Sequence, residues 1–402
     1  MGSSLPSWFS YAKLRASYAS VGNDMGPYRL YNGFLIGKDP NGNTVANKES
    51  LLKDPNVVNE LLKSFEAGAE MRFINNRIGL DITYYKSNAT NQLIELPLDP
   101  MSGYSRKIIN AGNIQNSGVE LVLDGRVLQN PSGLSWNTKL NYSTNKNLVV
   151  DIAKDQGVES YGLGSFDNLQ IKAANGQLYG AIYGTKFKRV DDPASANNGQ
   201  LLLDGNGLPQ ATGESVYLGN QQAKALIGFS NTFSYKNLEL SFQFDGRFGG
   251  HIFSATQAGM QANGTAAITV TNGARDKFVV DGVVSNGSGG YTQNAKEISP
   301  QEYWNRIATS GNVGIGEANL YDATNVRLRT VMLGYNLPKS ILGNVFQKAR
   351  LTLSCNNVWM IKSNMRGIDP ETVFAAGTNA IGFESGAYPT MRSFLFSINL
   401  GF

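Results

Sequence analysis

The sequence predicts an all-β protein, an antiparallel transmembrane β-barrel segment of about ten strands with long extracellular loops. Three observations predict this fold class: segments in which apolar and polar residues alternate, links that are alternately short and long, and a composition poor in charge. Charged residues make up 16% of the chain, against about 25% in a typical soluble domain, and 45 residues are glycine. Such a composition suits many strands and turns.

Ten segments alternate with the two-residue period of a β-strand, and a tilted strand needs about 9 to 11 residues to cross a bilayer. The clearest is the last, residues 394–402, which has aromatic and aliphatic side chains on one face and mostly small polar ones on the other. The segments cover residues 9–20, 64–74, 77–84, 118–127, 134–142, 227–235, 238–247, 325–337, 349–355 and 394–402.

The first seven segments each place apolar side chains on one face and charged or polar ones on the other, as a wall between lipid and water requires. Their apolar faces are, in order, Leu14, Ala16 and Tyr18; Phe65, Ala67, Ala69, Met71 and Phe73; Ile78, Leu80, Ile82 and Tyr84; Val119, Leu121 and Leu123; Trp136, Leu140 and Tyr142; Ile227, Phe229, Phe233 and Tyr235; Leu238, Leu240, Phe242 and Phe244.

The eighth segment changes phase. Its apolar positions are even-numbered up to Leu328 and odd-numbered from Val331 onward. One inserted residue near Arg329 or Thr330 would produce this change, so the sequence predicts a β-bulge there. The ninth segment, from Ala349, alternates regularly again, and the tenth ends the chain.

The links favour a membrane barrel over a soluble sheet. Those at 75–76, 128–133, 236–237 and 338–348 are short, whereas those at 21–63, 96–106, 151–224, 250–320 and 363–388 are mostly long. Outer-membrane barrels have short periplasmic turns and long extracellular loops, so ten strands place the C-terminus in the periplasm. A soluble sandwich could show the same strand pattern and stays open on this evidence.

Composition excludes several classes of protein. There is no apolar run of about 18 residues, so we expect no transmembrane helix. A net charge of +4 over 402 residues gives no sign of nucleic-acid binding. A single cysteine excludes an internal disulfide and a multi-thiolate metal site. No signal-peptide pattern follows Met1, so for an exported protein we expect the N-terminus to lie upstream.

Several motifs resemble the SusC/RagA-like branch of TonB-dependent outer-membrane transporters. Residues 110–120 read NAGNIQNSGVE and are similar to the family's NxGxIxNxGxE stretch. The other similar stretches are 13–18 (KLRASY), 177–184 (QLYGAIYG), 326–338 (VRLRTVMLGYNLP), 356–359 (NNVW) and 367–371 (GIDPE). The chain departs from the family's DxNxDGxI pattern at 203–207 (LDGNG), so we expect no calcium site there.

The resemblance implies a barrel of about 22 strands, of which residues 1–402 form the C-terminal part, with the plug domain, TonB box and N-terminal extension absent. It implies TonB-dependent import of oligosaccharides or oligopeptides across the outer membrane. The implied partners are a SusD-like surface lipoprotein, the substrate, outer-membrane lipid and, through the missing N-terminal part, the TonB complex. Two other functions stay open: a free-standing outer-membrane pore or adhesin, and a soluble carbohydrate-binding β-sandwich.

The chain offers little for catalysis. Nucleophilic catalysis with a histidine or cysteine would have to use His251 or Cys355, each the single residue of its type. Cys355 falls on an apolar strand face, where a thiolate is disfavoured. Glu66 and Glu70 share a face with Arg72, and an ion-paired wall explains them better than a glycosidase pair. We therefore expect no enzyme, no metal and no cofactor.

Two sets of residues are candidates for substrate handling. Aromatic rings in the long links can stack on sugars or contact peptide side chains, and the alternative is that they pack the loops or sit in the interfacial aromatic girdle. These candidate contacts are Tyr161, Phe166, Tyr179, Tyr183, Tyr291, Tyr303 and Trp304. The polar strand faces should line the lumen, with Glu66, Arg72, Asp81, Gln243, Asp245 and Arg247.

Overall fold

The computed structural model describes residue 6 and residues 8–130, 132–309, 313–343, 346–365, 367–373 and 377–402. All ten predicted segments are strands, labelled β1 to β10 in chain order. They are β1 Phe9–Asn23, β2 Glu60–Phe73, β3 Ile78–Pro97, β4 Arg106–Leu128, β5 Leu134–Asp151, β6 Ala225–Tyr235, β7 Leu238–Phe248, β8 Asn325–Asn336, β9 Lys348–Ser363 and β10 Ser393–Gly401. Residue 131, in the predicted turn after β4, lies outside the described residues.

These ten strands form one antiparallel sheet in which each strand pairs with its neighbours in sequence, from β1 at one edge to β10 at the other. A soluble sandwich would divide them between two packed sheets, so that alternative is wrong. The short turns lie at one end of the sheet, and β2 passes into β3 through residues 74–76, whose φ angles are all positive.

Five loops lie at the opposite end, here called loop 1 (24–59), loop 2 (98–105), loop 3 (152–224), loop 4 (249–324) and loop 5 (364–392). Loop 1 contains the strands Phe34–Lys38, Thr44–Lys48 and Leu51–Leu52. Loop 3 contains Ser160–Phe166, Leu169–Ala174, Ala181–Gly184, Leu202–Leu203 and Val216–Asn220. Loop 4 contains His251–Ser254, Phe278–Val279, Val283–Ser285, Tyr291–Gln293, Glu297–Ile298 and Leu320–Asp322, and loop 5 contains Phe383–Glu384. The helices are α1 Ala255–Ala262 and α2 Pro300–Ala308 in loop 4, and α3 Lys339–Leu342 in the turn before β9.

The outer face of the sheet is apolar and exposed, as a lipid-facing wall must be. Leu14 is 84% exposed and Phe394 is 74% exposed. Stacked or tilted aromatic pairs cluster at the short-turn end, namely Trp8 with Phe73, Trp136 with Phe233, and Phe346 with Phe402. Such rings mark the boundary between the apolar band and water. No helix in the described residues is long and apolar enough to cross a membrane.

The predicted β-bulge is confirmed. The register of β8 slips between Leu328 and Thr330 against both neighbouring strands, which leaves Arg329 outside the ladder. The insertion lets both halves of β8 keep their apolar side chains on the lipid face. It also frees the Arg329 side chain for contacts on the inner side.

Four strands, β3, β4, β5 and β9, are about twice as long as predicted or longer. β3 contains 20 residues and β4 contains 23, about twice what the bilayer requires. Their extensions toward the loops carry polar residues on both faces, so the alternation that identified the strands is lost there. Once a strand leaves the lipid, its outer face no longer needs to be apolar.

Loops 3, 4 and 5 share one hydrophobic core. Ile171 from loop 3, Phe253 from loop 4 and Phe383 from loop 5 are all buried in it. Strand His251–Ser254 of loop 4 also pairs in parallel with Phe383–Glu384 of loop 5. The buried Glu384 carboxylate accepts hydrogen bonds from Ser254 Oγ (2.5 Å) and Thr256 Oγ1 (2.6 Å). Because of these contacts the three loops pack as one body above the sheet.

Candidate ligand site at the mouth of the barrel wall

The inner face of the sheet carries arginine and carboxylate pairs. Arg15 contacts Asp81 at 2.5 Å, and Arg72 contacts Asp124 at 3.0 Å and Glu70 at 3.4 Å. Arg72 and Asp81, both predicted to line the lumen, therefore belong to ion pairs that join different strands. Glu66 lies on the same strand face as Glu70 and Arg72, by the two-residue period of β2.

Nearer the loops, Gln243 Nε2 donates a hydrogen bond of 2.8 Å to Asp245. Asp245 in turn accepts one of 2.6 Å from Arg329, the bulge residue. Arg247 at the end of β7 donates to the backbone carbonyl of Gln221 at 2.9 Å. These three predicted lumen residues thus lie along one strand face and link the wall to β8 and to loop 3.

Loop 5 is bound to the wall by an ion cluster that the sequence did not predict. Arg327 donates hydrogen bonds of 2.5 Å to Asp369 and to Thr390 Oγ1. Arg329 contacts Glu371 through both terminal nitrogens. One feature of the sequence could have indicated this contact, because 326–338 and 367–371 both resemble motifs of the family. The structure brings these two segments together. We call Arg327, Asp369, Thr390, Arg329 and Glu371 the loop 5 latch.

The Asp369 carboxylate is held ionised inside this latch. Desolvation by itself raises the pKa of Asp369, but hydrogen bonds from Thr390 and Arg327 outweigh it and hold the pKa at about 2, against the ordinary 3.8. The side chains of Arg327 and Asp369 are only 5% and 7% exposed. The pair is thus a buried, charged joint between β8 and loop 5.

A cavity of about 460 Å³ opens between the extended ends of β2 to β5 and loop 3, with Asn379 of loop 5 at its margin. We call it the mouth cavity. Two predicted contact residues, Tyr161 and Tyr179, line it. Its other lining residues are Glu60, Ala89, Gln92, Leu93, Ile94, Gly112, Ile114, Asn116, Asn147, Asp151, Ile152, Leu163, Ala173 and Asn379.

Local backbone geometry shapes this cavity. Gly112, in the family-like motif, has φ of 88°, a conformation that glycine adopts without strain. The β4 register against β5 slips next to it, between Asn113 and Ile114. Loop 3 then pairs with β5, because Tyr179 N donates to Asn147 O at 2.9 Å. Burial raises the pKa of Tyr179, so its phenol stays a neutral hydroxyl.

The other predicted contact residues lie apart from the mouth cavity. Phe166 packs on Phe253 and Phe383 in the shared loop core. Tyr183 donates a hydrogen bond of 2.9 Å to Gln177. Tyr291 lies half-buried in a short strand of loop 4.

Tyr303 and Trp304 lie on helix α2 of loop 4. The Tyr303 ring packs edge-on against Phe278 with centroids 5.4 Å apart, and burial raises its pKa. Trp304 lines a separate cavity of about 440 Å³ together with Arg275 and Gln301. The structure therefore brings two of the seven aromatic candidates together at the mouth and distributes the rest through the loops.

Protein cations occupy the turn where the family's calcium pattern is incomplete. Arg306 contacts Asp204 at 2.5 Å, and Lys296 Nζ contacts Asn206 Oδ1 at 3.0 Å. Positive side chains thus meet the oxygens that a cation would otherwise bind. No cluster of three or more His, Cys, Asp or Glu suited to a metal occurs among the described residues.

Comparisons with known proteins agree with this architecture. A family model described as TonB dependent receptor-like, beta-barrel, matches residues 5–204. TonB-dependent receptors P3 and P26 of Formosa agariphila are each 26% identical to the chain, over 97% and 98% of it. The chain spans 39% and 40% of their lengths, about two fifths of these curated relatives.

Solved structures show the same fold. The RagAB peptide transporter superposes with a TM-score of 0.70 at 20% identity, covering 99% of this chain and 41% of that one. The RagAB peptide importer in its open-open state gives a TM-score of 0.69 at 19% identity, covering 100% and 41%. The recognition made from the motifs is confirmed, and the chain belongs to the TonB-dependent receptor β-barrel family of the outer membrane.

Proposed function

We propose that residues 1–402 form the C-terminal part of the barrel of a transporter that imports oligopeptides or oligosaccharides across the outer membrane. The transporter would work with a SusD-like surface lipoprotein over its mouth. TonB would supply energy through the plug domain and TonB box, outside these residues. The observation that carries the proposal is the mouth cavity, which lies between a polar inner wall and a packed body of long loops.

The composition of the cavity supports ligand binding. Sites for small ligands are concave and largely apolar, with a few polar groups that fix orientation, and they measure about 300 to 1,000 Å³. The mouth cavity combines Tyr161 and Tyr179 with aliphatic side chains, two carboxylates and four amides. A peptide substrate has additional support because the RagAB structures that share the fold are described as a peptide transporter and importer.

The remaining predicted residues take roles in the same scheme. Glu66, Arg72, Asp81, Gln243, Asp245 and Arg247 would form the polar lumen wall along which substrate and plug move. Phe166, Tyr183, Tyr291, Tyr303 and Trp304 would shape the loop body that faces the lipoprotein. None of these residues needs to react chemically with the substrate. With the C-terminus in the periplasm, all five loops would face the cell exterior.

Uptake by whole cells tests the proposal. A strain lacking the complete transporter gene would be complemented with wild type, Tyr161→Ala or Tyr183→Ala, and supplied with fluorescent peptide and glycan mixtures. We expect uptake with wild type that stops when a protonophore removes the energy source. Loss of an aromatic contact should cost Tyr161→Ala roughly tenfold in uptake at limiting substrate, with Tyr183→Ala near wild type.

Uptake that persists without energy would contradict import by a TonB-dependent route and favour a free-standing pore. Equal uptake by all three proteins would remove the mouth cavity from the substrate path. Surface expression of each variant, checked by protease accessibility of the loops in intact cells, separates a folding defect from a transport defect.

A further inference from the structure

The mouth cavity has an unbalanced charge. Glu60, at the loop end of β2, and Asp151, at the loop end of β5, both line it, and no lysine, arginine or histidine does. Glu60 accepts hydrogen bonds from the Leu93 amide at 3.1 Å and from Asn23 Nδ2 at 2.8 Å. Asp151 accepts one from the Lys154 backbone amide at 3.1 Å. All three donors are neutral, so neither negative charge is compensated.

This differs from the inner wall closer to the membrane. There Asp81, Asp124 and Asp245 each have an arginine within 3.0 Å. Within the part of the chain that the structure describes, no ion pair involves Glu60 or Asp151. A partly enclosed, uncompensated pair of carboxylates attracts a cation and repels an anion, because the field of a charge is stronger away from bulk water.

The rest of the cavity suits a peptide better than a sugar. Ile94, Ile114 and Leu163 provide an aliphatic surface beside the two tyrosines. Aliphatic side chains of a peptide can bury apolar area against this surface, whereas the hydroxyl groups of a sugar find partners only at the amides and carboxylates on the rest of the lining. A tyrosine ring that lines the same cavity can add a cation–π contact for an ammonium group.

We infer that the mouth cavity binds the amine-bearing end of a peptide, with an apolar residue beside it, and rejects anionic oligomers. The inference rests on the proposed import function and names the substrate class of the same site. Asp151 is the specificity-determining residue that can be altered with least disturbance. An asparagine there keeps an oxygen to accept the Lys154 amide while it loses the charge, whereas glutamine at Glu60 would lose one of two acceptors.

The test is isothermal titration of the purified complete transporter with three forms of one C-terminally amidated pentapeptide of alanine, leucine and tyrosine. The N-terminus is free, acetylated or succinylated, which changes its charge from positive to neutral to negative. We expect affinity to fall about tenfold at each step. Asp151→Asn should reduce each step to about threefold. Asp155→Asn, an exposed residue outside the cavity, serves as the matched control and should leave both steps unchanged.

Equal affinity for the three peptides, tightest binding of the succinylated form, or identical behaviour of Asp151→Asn and Asp155→Asn would overturn the inference. Binding of a neutral glycan without any peptide binding would also overturn it but leave import intact. Loss of energy-dependent uptake in the cell assay would instead refute the proposed function. The two failures are therefore distinguishable.

Discussion

Breaking the loop 5 latch should release one segment of loop 5 and leave the shared loop core in place. The perturbation is Asp369→Asn, which removes the charge facing Arg327. Asp369 Oδ2 also accepts hydrogen bonds from Thr390 N (2.9 Å) and Thr390 Oγ1 (2.6 Å). An asparagine cannot serve all of these donors, because one of its two polar atoms is itself a donor.

The magnitude follows from burial. Removing one partner of a buried ion pair costs about 3 to 5 kcal/mol, because the other charge stays desolvated. Glu371 lies 3.8 Å from Arg327 and compensates part of its charge, so we expect the lower end, about 3 kcal/mol. That corresponds to an increase of roughly 150-fold in the open population of the latch.

Hydrogen exchange of the purified complete transporter measures this population. Exchange of residues 367–373 should accelerate by about two orders of magnitude in Asp369→Asn, whereas residues 383–384, held by the shared core, should keep their protection. Asp281→Asn, at an exposed position in loop 4, is the matched control. Exchange at 367–373 within twofold of the control would refute the view that the latch holds loop 5.

Three further predictions follow from other parts of the structure. Because the pKa of Asp369 is lowered to about 2, its stabilising contribution is present above about pH 4 and is lost as pH falls through 2, so hydrogen exchange at 367–373, relative to the intrinsic rate at each pH, should accelerate over that interval. Chelation of calcium should leave the melting temperature of the protein unchanged, and a melting temperature that depends on calcium would contradict this prediction. Arg306→Ala, in contrast, should weaken the 203–207 turn by roughly 1 kcal/mol, as measured by hydrogen exchange. Phe244→Lys on the lipid face, near the middle of β7, should cost about 2 to 4 kcal/mol in urea titrations in lipid, whereas Ser241→Lys on the inner face should cost little; equal costs would contradict the assignment of faces.

The barrel wall could be predicted from the sequence because lipid imposes a pattern on every strand that crosses it. The alternation in β7 and the change of phase in β8 located both the strands and the bulge at Arg329. The pattern stops where lipid stops, which is why the extensions of β3 and β4 were missed. The contact that Arg306 makes with Asp204 could not be predicted, because 102 positions separate the two residues.

The loop body and the mouth cavity could not be predicted because they depend on contacts between distant residues. Ile171 and Phe383 meet in one core although more than two hundred positions separate them. Tyr161 and Phe166 carried the same signal in the sequence, yet one lines the cavity and the other packs in the core. Asp151 gave no signal at all, because a carboxylate at the end of a strand is ordinary until its neighbours are known.

We propose that substrate passes through the mouth cavity on its way into the cell. The most direct test replaces Cys355 with serine and introduces one cysteine, as Tyr161→Cys or as Asp155→Cys, in the complete transporter in living cells. A bulky maleimide applied from outside should reduce peptide uptake at least tenfold for Tyr161→Cys and leave Asp155→Cys unaffected. Undiminished uptake by fully labelled Tyr161→Cys would contradict the account.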